Sequence, residues 1–159
     1  MLQKELSKIV SQELLNAASL IWRLAENYPD VELPRRLVAE LNIIVDSLNT
    51  LQDAFCIPES RNALPRHPKC ALGYLDSSDP GPLILPRNIA EDICSSLYEE
   101  ERRINLLIGK TKESLSRGEQ KKFVLLCARI MGNIFAGILS PLWHQYPEIS
   151  RLNEHAKET

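Results

Sequence analysis

The chain has 159 residues, 44% apolar and 25% charged, which describes one globular domain able to bury about 68–70% of its unfolded surface without metal or disulfide staples. Nineteen basic and twenty-one acidic residues leave a net charge of −2. That balance argues against a nucleic-acid binder, which needs a concentrated basic face to displace counterions.

From Leu2 to Asn27, apolar Val10, Leu14, Ala17, Ile21 and Leu24 recur at steps of three and four, with Lys8, Gln12, Ser19, Arg23 and Glu26 on the other side. This is the pattern of an amphipathic helix facing a core. It alternates Lys and Glu with Leu from its first turn, unlike a secretory signal. Tyr28-Pro29-Asp30 ends it, because proline disfavours helical geometry in the residue before it. A second helix opens at Pro34, and Leu37, Leu41, Ile44, Leu48, Leu51 and Phe55 form an unbroken stripe along it. Arg35, Asn42, Asp46, Asn49 and Asp53 lie on its polar side.

Six of the ten prolines fall between Cys56 and Arg87, a density no helix survives. A thirty-two-residue connection is long for a compact domain. It carries two apolar patches, Ala71 to Leu75 and Leu83 to Leu85, around an Asp79-Pro80-Gly81 turn. The expectation is an ordered strap lying over the helices, with a short hairpin as the alternative.

Asn88 and Glu91 resemble a capping box for a third helix, whose inner face is Ile89, Ile93, Leu97, Ile104, Ile108 and Leu115. Arg117-Gly118 reads as a stop, or Ser116 and Glu119 as the cap of a fourth helix. That helix runs to Leu139, and Ser140-Pro141 starts a kink or a short helix reaching Tyr146. Phe123 to Trp143 is apolar enough to raise the question of a membrane span. Arg129 and Asn133 interrupt it, so a core helix is expected. Ala128, Gly132 and Ala136 recur every four residues opposite Phe123, Ile130, Ile134 and Ile138, which predicts a central helix with two packing faces. Trp22 and Tyr28, like Trp143 and Tyr146, stand near helix ends, where such rings pack with their polar tips wet.

The predicted fold is thus all-α: an antiparallel, up-down four-helix bundle in one domain spanning 1–159. Its helices lie at about 2–27, 34–55, 89–116 and 119–139, with a short helix at 141–146. A proline-rich strap covers 56–87 and a polar tail 150–159.

Few residues suggest chemistry. The third helix's stripe is interrupted at Glu100 and Glu101, where a core-facing residue is due. An antiparallel fourth helix would bring Arg129 and Asn133 level with them, so an interior cluster of Glu100, Glu101, Arg129 and Asn133 is expected. His67 and Cys70 make one HxxC pair with Cys56 upstream, short of the paired ligands a zinc site needs. Cys127 and His144 are a conceivable nucleophile and base, but Cys127 sits among Val124, Leu125 and Leu126, where a thiol is inert. No GxSxG, glycine-rich phosphate loop or HExxH motif occurs. Cys56, Cys94 and Cys127 lie in or beside apolar runs without CxxC spacing, as buried reduced thiols of a cytoplasmic protein would.

By elimination, the expected function is non-catalytic protein–protein interaction of the adaptor, chaperone-like or inhibitor (immunity) type. Its contact surface would combine Tyr74, Leu75, Leu83, Ile84 and Leu85 of the strap with the acidic helix face of Asp46, Asn49 and Asp53. Complementary charge there would favour a basic partner. Small-ligand or metal binding at the interior cluster is one alternative, and a homodimeric structural protein is another. No cofactor, nucleic acid or membrane contact is expected.

Overall fold

Helix α1 (Lys4–Glu26) forms where the three-four spacing demands it, burying Val10, Leu14, Ala17, Ile21 and Leu24. Helix α2 (Arg35–Phe55) buries the whole predicted stripe from Leu37 to Phe55. Pro34 serves as its N-cap and not as its first residue. The chain is seen in a computed structural model that describes residues 1–28, 33–65 and 81–150. Helix α3 (Arg87–Thr111) starts at a Pro86 N-cap without a side-chain cap. The Asn88–Glu91 capping box therefore does not form, and Glu91 instead pairs with Arg87 one turn before it, 3.1 Å away. The helix ends one turn before the predicted stop. Thr111 caps it from inside, its hydroxyl donating to the Leu107 carbonyl at 2.9 Å. Helix α4 (Arg117–Ile134) does begin with the reciprocal capping box of Ser116 and Glu119.

Beyond Ile134 the helix continues through a π-helical turn, Phe135–Leu139, into helix α5 (Ser140–Gln145). The cause lies in Pro141, which has no N–H and whose ring would strike the carbonyl four residues earlier, that of Gly137. A π-turn re-routes the bonding, with the Ser140 amide donating to the Phe135 carbonyl, so the axis passes the proline without a break. Gly137 has a second duty. A Cβ there would overlap the Glu40 carboxylate of α2. Glu40 is half-buried against this turn, which pushes its pKa up, while Arg36 at 3.9 Å pulls the other way.

Among the described residues the architecture is all-helical, without a strand. Helix α1 packs on α2 and α3, and α4 packs on the same two. The Leu2 amide meets the Phe55 carbonyl at 2.9 Å, so α1 and α2 are antiparallel. The rings of Phe55 and Phe123 meet edge-on with centroids 5.1 Å apart, the Asn133 amide donates to Ser47 Oγ at 3.1 Å, and Glu40 abuts Gly137. These contacts make α2 and α4 antiparallel. Tyr28 bonds Asp92 across the α1–α3 seam, and a short turn joins α3 to α4. It follows that α2 and α3 run in the same direction, and the succession is not the simple up-down order expected. The long connection then has a physical reason. Leaving α2 at Phe55, the chain must travel back the length of a helix, roughly 30 Å, before a parallel α3 can begin.

The described start of that connection is pinned to α1. A 3₁₀ turn at Pro58–Ser60 lies over Ser7 and Ser11. Ser7 Oγ accepts from the Ile57 amide at 2.9 Å, and Ser11 and Ser7 both reach Ser60. The Gln52 side-chain amide clasps the Asn62 backbone, its Nε2 donating to the carbonyl and its Oε1 accepting from the N–H. The core polar residues Ser7, Ser11 and Gln52 are thereby satisfied, as buried polar groups require. The other end is fixed by Tyr146, whose hydroxyl donates to the Leu85 carbonyl at 2.6 Å. Tyr146 thus turns its tip into a part-buried hydrogen bond within the protein, while the Tyr28 hydroxyl bonds exposed Asp92 at the surface.

Phe123 is fully buried and joins α4 to α2 at the edge of the Phe55 ring. Phe123→Ala is expected to cost about 3–5 kcal/mol of stability, measured as a lowered urea midpoint with an unchanged slope.

Candidate interaction surface

The strap residues predicted to bind a partner separate. Tyr74 and Leu75, like His67 and Cys70, lie outside the described residues. Leu83 and Leu85 are buried in the core, and Ile84 between them is 61% exposed. Leu85 is also held by Gln145 and Tyr146, so this end of the strap is part of the protein's own packing. On α2, Asp46 and Asp53 are exposed and Asn49 is half-buried. Asn42, expected beside them in solvent, is buried.

The expected interior cluster does not assemble. Glu100 is buried, at 2% exposure, but its charged neighbours are Arg103 at 3.8 Å, Glu13 of α1 and Glu99. Glu101 is half-buried, Arg129 is exposed on the outside of α4, and Asn133 bonds Ser47 of α2. Glu100 and Asn133 turn to different neighbours around their helices. Each residue turns a helix by about 100°, which carries Glu100 toward α1 and Asn133 toward α2. Cys127 and His144 are likewise apart. The thiol of Cys127 is buried and pushed up to about 12 by that burial, as is Cys94, while exposed His144 bonds its own helix at Ser140. Cys56, Cys94 and Cys127 are all free and buried.

The α4 surface is the feature that sequence reasoning misjudged. Phe123, Cys127, Ile130 and Ile134 fill the core. The opposite row of Ala128, Gly132 and Ala136, expected to receive a second helix, is exposed. Both neighbours, α2 and α3, sit on the same side of α4. Leu125 is 69% exposed within this outer row and Phe135 48% exposed at its edge, and an apolar groove of about 480 Å³ runs past Arg117, Gln120, Lys121, Val124 and Leu125. Exposed Lys121, Lys122 and Arg129 flank the row. The acid of α4, Glu119, is occupied in its capping box. On α2, which packs on α4, Ile43, Asp46 and Asp53 are exposed. The helical run Arg117–Gln145 is long and apolar enough to cross a membrane by length and composition, and its most apolar stretch is only 39% buried. The sequence signal for an uncovered face is the four-residue spacing of small side chains on the side of the helix opposite its large apolar residues.

Glu100 yields a measurable pH effect. Burial raises its pKa from 4.5 to about 7, with Arg103 opposing and Glu13 and Glu99 reinforcing the shift. The folded state therefore holds a proton that the unfolded chain has released between these values, and stability falls as pH rises through that window. Glu100→Gln keeps the shape and removes the titration. It is expected to gain on the order of 2 kcal/mol over the parent chain at pH 8 relative to pH 4, read from paired urea titrations.

No protein-family profile, curated protein or solved structure matches this chain.

Proposed function

We propose that this chain is a non-catalytic protein–protein interaction protein of the adaptor, chaperone-like or inhibitor type, and that the corner formed by α2 and α4 is its contact face. The observation that carries this is the outer row of α4, where Leu125, Ala128, Gly132 and Ala136 lie uncovered along one helix side. A contiguous apolar strip with a charged rim is the usual mark of a protein contact site. Small residues let a second helix approach closely, and the flanking cations and the neighbouring carboxylates of α2 would set its orientation. A four-helix bundle with the strap as its crossover is the frame that presents this face. The buried Leu83 and Leu85 favour a structural role for the strap's end, so the proposed contact moves from strap to helix while keeping Asp46 and Asp53. Three buried free thiols suit a reducing compartment, which supports a cytoplasmic location. The interior small-ligand alternative has less support, since Arg129 and Asn133 do not join Glu100.

A photo-crosslinking residue at Ala128 is expected to give discrete adducts in cells of the protein's own host, and one at exposed Lys8 of α1 to give none. Equal yields from the two positions, or none from Ala128, would remove the proposal.

A further inference from the structure

Taking the α2–α4 corner as a contact face, we infer that its occupant is a second copy of this chain, placed by a two-fold axis parallel to the helices so that α4 of each copy lies across α2 of the other. The argument begins with charge. Arg35 and Arg36 open α2 and Arg36 faces half-buried Glu40, while further along the exposed charges are Asp46 and Asp53, with the Arg61 guanidinium donating to the Asp53 carbonyl. From Gly118 to Ile134, α4 carries Lys121, Lys122 and Arg129, with Glu119 engaged at its cap. The corner is therefore split into an acidic and a basic stripe on adjacent antiparallel helices. A closed two-fold contact uses the same patch on both partners, and a patch holding both signs side by side can complement itself.

The direction of the axis follows from the same pattern. An axis across the helices would lay α4 on α4 and bring cation against cation. An axis along them exchanges α4 for α2 and conserves height. Phe55 is level with Phe123 and Ser47 with Asn133. Asp53, two residues before Phe55, thus falls at the height of the turn between Lys122 and Arg129 of the second copy. Asp53, Lys122 and Arg129 are exposed and form no ion pair with any described residue. Ile43, 43% exposed, lies between the heights of the Ser47–Asn133 and Glu40–Gly137 contacts. That sets its side chain over Gly132 and Ala136 of the second copy, where small residues leave it room. Two helices of about 30 Å length with axes 8–10 Å apart present a footprint of roughly 600 Å², near the ~800 Å² per partner of a stable complex. A bilayer core would not accept this face, because the exposed carboxylates of Asp46 and Asp53 share it.

The test is sedimentation of the full chain over micromolar to millimolar concentration at low and high salt. The expected result is a monomer–dimer equilibrium that weakens with salt. Each substitution acts twice in a two-fold contact, so Asp53→Lys is expected to raise the dissociation constant about tenfold or more. The pair Lys122→Asp with Arg129→Asp should do the same, and all three changes together should return it to within a few-fold of the parent. All three sites are exposed, so an unchanged helical circular dichroism signal and melting temperature certify each variant. A parent chain that stays monomeric overturns the inference, as does a dimer indifferent to both reversals or one the combination fails to restore. A monomer whose Ala128 position still crosslinks to a different protein sinks only the second-copy occupant, and one that crosslinks to lipid sinks the protein contact face as well. One that crosslinks to nothing sinks the contact face as well.

Discussion

The edge-on contact of Phe55 with Phe123 sets the register on which the rest of the molecule depends. It fixes the end of α2 against the beginning of α4, and the helical rise then places Ser47 beside Asn133 and Glu40 beside Gly137. With α2 and α4 antiparallel and α3 turned back on α4, α2 and α3 must be parallel. A short loop cannot join parallel helices end to start. The long proline-rich connection is thus a consequence of topology, and its anchoring at Ser7, Ser11 and Gln52 on one side and at Tyr146 on the other holds it to that task.

The same contact line explains the irregular end of α4. Glu40 needs space at the height of Gly137, and Pro141 needs relief from the carbonyl at that position. Glycine and the π-turn meet both demands in one place. Elsewhere, the buried polar residues are mostly absorbed by the strap or by their own helix. Among the described residues, Asn42 Nδ2, Trp143 Nε1 and Glu100 Oε2 are buried without a hydrogen bond, and at Glu100 desolvation acts more strongly than its guanidinium neighbour compensates.

The proposed contact face is what the packing leaves uncovered. A helix with apolar residues on two sides must find partners on both or show one apolar side to its surroundings. Helix α4 finds α2 and α3 on one side, and the opposite side stays open. Opposite charges on α2 and α4 then give that face a direction and, in our proposal, a partner of its own kind.

Much of the architecture was legible along the chain. The stripe from Leu37 to Phe55, the spacing in α1 and the Ser116–Glu119 cap are local patterns, set by 3.6 residues per turn and by the bonding needs of a helix end, and they need no distant partner to act. Glu100 could be recognised as core-facing for the same reason. Its neighbour could not, because choosing among α1, α2 and α4 requires the azimuth of each helix, which depends on all the others. The parallel course of α2 and α3, the burial of Leu83 and Leu85 and the exposure of Ala128, Gly132 and Ala136 are likewise decided by which helices touch. Periodicity states that a face is apolar; only the tertiary arrangement decides whether the protein covers that face itself or leaves it for another chain.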